Sequence, residues 1–250
     1  MLTAIGAGVA GSSKLAAESA PLIVLSLPDS DAVESVVGDL EPILRGRTVV
    51  DTTTGDPDRS AALGQRLKTL GIDYLDAAIV GSSRLVREGQ VVLVAGGEPD
   101  VFRRCVGLFD TFATREFHVG PWGSGARMKL VVNLVLGLNR AVLAEGLAFA
   151  RAGGFDPALA LDVLKGGAAY SRVMDAKGRK MVAGDFAPEA RLSQHHKDVR
   201  LILAAAARCG VTLPLSQLHE FLLGDLESRG LGDLDNSAIL RAYDPPDEGR

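Results

Sequence analysis

The chain has 250 residues, with 27 lysines and arginines against 31 aspartates and glutamates, for a formal net charge of −4. Hydrophobic residues make up 47% and charged residues 23%, which suits a globular protein with one large core or two modest ones and disfavours a disordered activator, a basic nucleic-acid coat or a collagen-like fibre. Cys105 and Cys209, the only cysteines, cannot make a disulfide scaffold or a cysteine zinc site, so a reducing, cytoplasmic setting is the default expectation.

In chain order, Gly6-Ala-Gly8-Val-Ala-Gly11 comes first and matches G-x-G-x-x-G. A dinucleotide fingerprint needs a strand before it and a crossing helix after it. Only Met1 to Ile5 precede this one, and Pro21 closes the short Ser12–Ala20 segment. No acidic residue ends a second strand before Leu22. The motif is therefore expected to be a turn at Gly6-Ala7 leading into a loop or short strand, and not a phosphate cradle.

The next hundred residues alternate strand and helix. Leu22–Leu27, Thr48–Val50 and Val91–Ala95 are nearly continuous apolar runs, as in strands of a parallel sheet buried on both faces. Asp31–Leu44, Asp58–Leu70 and Asp100–Phe109 lie between and after them as helices, each begun by Asp or Pro-Asp. The rhythm is that of a βαβ domain.

From about Ser124 the apolar spacing becomes helical. Ser124–Arg151 is expected to be one long helix with Leu130, Leu134, Leu138, Val142 and Leu147 on its apolar side. Further helices are expected over 157–165, 170–182, 193–209, 214–229 and 235–243, with Gly153-Gly154, Gly166-Gly167 and Gly210 as stops. The tail from Asp244 to Arg250 is expected to fray. No apolar run approaches the roughly 20 residues of a membrane span, and no basic n-region precedes a secretory core. The expected organisation is an α/β domain over 1–123 and an all-helical domain over 124–250, joined by the helix at about 124–151.

Six motifs in order carry a family resemblance. They are Gly6-Ala7, Leu27-Pro28-Asp29, Asp51-Thr-Thr-Thr54 with Pro57, Tyr74-Leu-Asp-Ala-Ala78 with Gly81, Gly120-Pro-x-Gly-x-Gly125 followed by Lys129 and Asn133, and Asp185-Phe-x-Pro188 with Lys197-Asp198. Together they resemble the β-hydroxyacid dehydrogenases, the 3-hydroxyisobutyrate dehydrogenase-like group with 6-phosphogluconate dehydrogenase as a distant relative. The resemblance implies a Rossmann-type doubly wound sheet followed by a helical domain, NAD or NADP as cofactor, a small-molecule substrate and a homodimer formed through the helical domain. It also implies that the family's first strand, glycine loop, first helix and second strand belong before Gly6. The sheet is thus expected to be N-terminally incomplete, and the chain by itself a poor binder of NAD(P).

The same resemblance assigns roles to residues. Lys129 becomes the acid/base group for the substrate oxygen, at a hinge where a cleft would form. Asn133, one turn on, holds the lysine or that oxygen. Leu27 and Pro28 fall near the adenosine half of the cofactor, Thr53 and Thr54 near its nicotinamide, and Lys197 near the cleft. The substrate loop departs from the family pattern. Val80 stands where the carboxylate-binding serine belongs, leaving Gly81, Ser82 and Ser83 as candidate donors. That argues against a standard small hydroxy-carboxylate and keeps an imine reductase-like activity open, beside a non-catalytic dimerisation module. Tyr170 and Ser171 could line the cleft from the helical side. His195-His196 point about 100° apart on a helix and make a poor chelating pair, so no metal is expected. His118 and His219 are expected to be structural. Twelve aromatics and an acidic balance speak against nucleic acid, and Arg103-Arg104 and the basic residues at 177–180 are expected to be isolated surface charge.

Overall fold

The computed structural model describes residues 6–244, so the expected frayed tail beyond Asp244 and the Met1–Ile5 segment lie outside the described residues. The chain divides into two compact units, Met1–Leu130 and Val131–Arg250.

The first unit is a five-stranded sheet flanked by helices. After the irregular glycine stretch come α1 (Ser13–Glu18), β1 (Leu22–Leu25), α2 (Ser30–Leu44), β2 (Thr48–Asp51), α3 (Pro57–Thr69) and β3 (Asp73–Val80). A short α4 (Ser83–Arg87), β4 (Val91–Gly97), α5 (Pro99–Phe109) and β5 (Ala113–Gly120) follow. The helix starts obey local chemistry. Asp29 accepts the Ala32 N–H at 2.9 Å, Asp56 accepts from Asp58 and Arg59, and Pro57 and Pro99 open their helices, where a missing N–H costs nothing.

The strands lie in sequence order, β1-β2-β3-β4-β5. β1, β2 and β3 are parallel, but β4 runs antiparallel to β3 and parallel to β5. The sheet is therefore mixed, where unbroken apolar runs alone suggest a parallel one. The cause is length: only Gly81–Gln90 join β3 to β4, and a parallel crossover needs a dozen or more residues. Tyr74–Ala78, expected as part of a loop, is the middle of β3. Tyr74, Leu75, Ala77 and Ala78 are fully buried there, because α2 and α3 cover one face of the sheet and α5 the other.

Helix α6 (Ser124–Ala152) begins in the first unit and continues into the second. By length and composition it would suit a membrane span, yet it carries the buried cations Lys129 and Arg140, and Leu143 and Leu147 lie in the helical core. Its apolar side differs from the expected one. Leu130 and Leu147 are buried as expected, but Val142 is 66% exposed, and Ala141, Leu143 and Ala144 turn inward instead. Steps of four residues advance by about 400° and so drift off one face within three steps.

The second unit continues with α7 (Pro157–Gly166), a π-helical turn at Met174–Gly178 running into α8 (Arg179–Ala183), α9 (Leu192–Arg208), α10 (Pro214–Ser228) and a 3-10 segment at Asn236–Tyr243. The last was expected as ordinary α-helix. Tyr170 and Ser171 precede the π-containing helix and do not belong to it. Leu143, Met181, Leu192, Leu223, Leu226 and Ile239 are buried to 2% or less, each worth roughly 1.5–3 kcal/mol of transfer free energy. Lys177 is not surface charge: its side chain is 12% exposed and pairs at 2.9 Å with the fully buried Asp235.

Candidate active site

One row of residues crosses the first unit's sheet. Leu25, Asp51, Asp76, Gly96 and Gly120 are successive lateral partners. β1 and β2 end at this row. β3 continues past it, paired on its other side with β4 up to Val80. β5, of opposite sense, also ends there. Loops thus leave the sheet in two directions at Asp76, the kind of switch point at which open α/β sheets hold ligands.

On the β1/β2 side, the strand-end loops are tied together. Thr53 is buried, and its hydroxyl accepts the Leu27 N–H at 3.1 Å. Asp51 accepts from the Thr53 N–H at 2.9 Å and from the Tyr74 hydroxyl at 3.0 Å. Burial raises the Asp51 carboxyl above its ordinary range, although these donors favour its charged form. Burial and the facing carboxylates push the Tyr74 phenol well up. Thr53 is thus a brace between loops, while Pro28 is exposed and Thr54 half-buried beside it.

The glycine stretch fits a phosphate less well. Gly6 sits in a turn at φ +85°, and residues 7–11 have no regular structure. The helix that follows has six residues, and its own Ser12 hydroxyl accepts the Leu15 N–H. A side chain added at Gly8 would meet nothing within 4 Å, so no close approach explains that glycine.

On the β4/β5 side, the sheet seizes the start of α6. Asp76 accepts the Gly123 N–H at 3.0 Å and the Ala126 N–H at 2.8 Å. Trp122 donates its indole N–H to the Tyr74 carbonyl at 2.9 Å. Burial raises the Asp76 carboxyl to about 6, against the pull of these two N–H groups and aided by the charge of Asp51. Three residues beyond Ala126, Lys129 is only 8% exposed. Lysine is almost never fully buried unless it is paired.

The loop after β3 is exposed from Gly81 to Ser83. Gly81, at φ +156°, is in the region that favours glycine. Ser82 caps α4 by accepting the Leu85 N–H at 3.3 Å.

In the second unit, Asn133 donates to Asp198 at 3.0 Å. Lys197 lies 3.6 Å from the same carboxylate group. Tyr170 is exposed and donates to Asp175, and Ser171 has a buried hydroxyl oxygen without a hydrogen-bond partner. His195 and His219 lie with ring centroids 5.1 Å apart and planes tilted by 47° over Gly137, where a side chain would come within 3 Å of both. Arg140, 7% exposed, is one turn beyond Gly137, and burial lowers its guanidinium to about 10. His196 instead bonds Glu220 and Glu227. Among the described residues no cluster of three metal-ligating side chains occurs.

Asp51, Tyr74 and Asp76 are central to this site and were not singled out as functional in the sequence. Their signal was present, since all three sit inside the motifs quoted above, but a carboxylate in a strand declares no partner until the sheet is assembled.

Comparison with known proteins agrees with this geometry. Residues 1–120 match the model of the NAD binding domain of 6-phosphogluconate dehydrogenase, and residues 123–243 that of the NAD-binding of NADP-dependent 3-hydroxyisobutyrate dehydrogenase. The 2-hydroxy-3-oxopropionate reductase of Escherichia coli (strain K12) is 30% identical over 97% of this chain and 85% of its own length. Glyoxylate/succinic semialdehyde reductase 1 of Arabidopsis thaliana is 31% identical over 95% of the chain and 83% of its own length. In fold, the 3-hydroxyisobutyrate dehydrogenase ygbJ from Salmonella typhimurium superposes with a TM-score of 0.89, covering 96% of this chain and 86% of that one at 24% identity. With both domain models matched in order and relatives of this identity along nearly its whole length, the chain belongs to the β-hydroxyacid dehydrogenase family of NAD(P)-dependent oxidoreductases.

Proposed function

We propose that this chain interconverts a small 3-hydroxy acid and its oxo form, with Lys129 as the proton donor and acceptor at the substrate oxygen. The observation that carries the reading is the burial of Lys129 in the second turn of a helix whose start is bonded to the central strand. A lysine ammonium can give its proton to an oxygen that gains charge and, as the amine, take it back. The bound nicotinamide supplies or takes the hydride. Pro28 and Thr54 hold it beside the strand ends, and Thr53 fixes the two loops that carry them. Asn133, oriented by Asp198, holds the substrate oxygen or the lysine. Gly81, Ser82 and Ser83 meet the substrate's acidic end.

The test is steady-state turnover of a panel of short 3-hydroxy acids and the matching oxo acids by wild type and Lys129→Ala. The variant is expected to lose roughly 10²-fold or more in kcat, with cofactor affinity and melting temperature nearly unchanged. Wild-type turnover by the alanine variant would remove the acid/base role.

A second reading, reduction of an imine or a less acidic carbonyl, is favoured by Val80. This apolar, half-buried side chain stands at the end of β3 where a carboxylate would want a hydroxyl. Turnover of cyclic imines with no turnover of the acid panel would put it first. We further infer a homodimer through the helical unit, supported by the outward apolar residues Val142, Phe149, Leu215, Leu218 and Phe221, each at least 58% exposed. Patches of this kind commonly mark interfaces.

A further inference from the structure

Helix α6 has no side chain of its own capping its entry. Gly123 stands just before its first residue, and the two N–H groups that a capping side chain would serve are taken by a carboxylate 47 and 50 residues earlier in the chain. Unsatisfied N–H groups at a helix start are a standing cost, and here a strand removes it. The fit is tight on every side. A side chain at Gly125 would lie 2.1 Å from the Asp76 carbonyl oxygen, and one at Gly96 would lie 2.6 Å from both the Asp76 carboxylate and the Pro121 carbonyl oxygen. Two glycines, on β4 and α6, therefore leave room for one carboxylate to reach two backbone N–H groups. Gly123 itself, at φ +85°, packs against the Pro57 carbonyl of α3.

We propose that Asp76 is the positioning residue of Lys129, the β3 side chain that sets where the lysine's helix begins. The proposal rests on the acid/base reading of Lys129. Asp76 touches neither substrate nor cofactor in it and acts through three residues of helix. The same strand runs on for four residues into the Gly81–Ser83 loop, so one carboxylate indexes the lysine against the loop assigned to the substrate. As a carboxylate, Asp76 accepts from both N–H groups. On protonation one of its oxygens becomes a donor facing a donor, and the helix start loosens.

The groups around it are few. Asp51 on β2 is its lateral partner and raises it. β4 presents only the backbone of Gly96 there, and β5 ends in Gly120 at the same row. On α6, Arg127 pairs with Asp58 at 2.9 Å, and Lys129 follows. Tyr74, on the same strand, feels the Asp76 charge, which helps raise its phenol, and His118 on β5 bonds the Gly97 carbonyl at 2.8 Å. Trp122, the only tryptophan, is anchored to Tyr74 beside the carboxylate and reports on the helix entry without any substrate.

The experiment compares wild type, Asp76→Asn, Lys129→Ala and His118→Gln as full chains. Turnover of the acid panel is followed from pH 5 to 9, beside cofactor titrations and Trp122 emission. In the wild type, kcat is expected to fall below a midpoint near 6, the value to which burial raises Asp76, and Trp122 emission to change at the same midpoint. His118→Gln is expected to keep both. Asp76→Asn, which cannot accept both N–H groups, is expected to lose roughly 10²-fold in kcat, the scale of a misplaced catalytic group. It should lose the acid limb as well and bind the cofactor as the wild type does. A folded Asp76→Asn with wild-type kcat and pH profile, while Lys129→Ala is inactive, overturns the positioning role and leaves the lysine reading intact. An active Lys129→Ala removes the lysine reading itself. If Asp76→Asn does not fold, the wild type decides: a common midpoint for emission and kcat that survives in His118→Gln supports the proposal, and its absence overturns it.

Discussion

The Tyr74 hydroxyl donates to the buried carboxylate of Asp51 at 3.0 Å, joining two neighbouring strands at the row where the loops diverge. Tyr74→Phe leaves that oxygen without its donor in a dry site. The expected loss is about 1–3 kcal/mol of stability. The sign of its pH dependence follows from Asp51, whose carboxyl is already raised by burial. A raised acid stabilises the fold while protonated, and that contribution is lost as pH rises through the folded value. The phenylalanine variant raises Asp51 further, so its deficit should be larger at pH 8 than at pH 5. Urea unfolding at the two pH values measures it, and an equal deficit at both would refute the coupling.

Glycines at two places should behave in opposite ways. Gly125→Ala places a methyl 2.1 Å from the Asp76 carbonyl oxygen, and backbone cannot yield as a flexible side chain does. Overpacking of this kind costs about 1–3 kcal/mol or more, and turnover should fall with it. Gly8→Ala meets nothing within 4 Å and should leave both melting temperature and cofactor affinity unchanged within twofold. A marked loss of NAD(P) affinity in Gly8→Ala would restore the glycine stretch as a phosphate site.

The helical unit should weaken in acid. Burial, with the Arg140 charge beside it, lowers His219 to about 4 and His195 well below its ordinary value. A histidine held neutral stabilises the fold above its unfolded value near 6.5, and the contribution is lost as pH falls toward the folded value. For His219 that is roughly 3 kcal/mol between pH 6.5 and 4, at 1.36 kcal/mol per unit. Denaturant unfolding from pH 7 to 5 should show falling stability, and His219→Gln should flatten the slope. An unchanged slope in that variant would rule out His219 as its source.

Phe149 and Val142 lie seven residues apart on one exposed face of α6, 81% and 66% accessible. If a second copy of the chain covers them, Phe149→Glu should convert a dimer to a monomer in sedimentation velocity. Its effect on unfolding of the isolated protomer should be small, because the side chain touches little core. A wild type that sediments as a monomer at micromolar concentration would remove the homodimer.

What was legible from residue order was what depends on short range. Asp29, Asp56 and Asp156 each accept an N–H within three residues, and the helices expected from Asp31, Asp58 and residue 157 start at Ser30, Pro57 and Pro157. Apolar runs such as Thr48–Val50 and Val91–Ala95 revealed buried strands, since continuity of burial is itself a sequence property. Lys129 and Asn133 were singled out through the resemblance of the Gly120–Gly125 entry and the residues after it to a family motif. Less visible was the face of α6 that turns inward. Val142 continued a four-residue pattern and ended in solvent, because 3.6 residues per turn slowly rotates such a pattern away from the core.

The strand sense of β4 and the partners of Asp76 belong to a different range of interaction. A loop from Gly81 to Gln90 excluded a crossover only once β3 and β4 were known to be neighbours. Asp76 meets Gly123 and Ala126 across 47 and 50 residues of chain, and Tyr74 meets Asp51 across 23. Residue order by itself determined the helix caps, the buried strands and the lysine at the start of α6. The tertiary structure decided which carboxylate anchors that helix, because a hydrogen bond across a sheet exists only after lateral pairing has brought its donor and acceptor to one row.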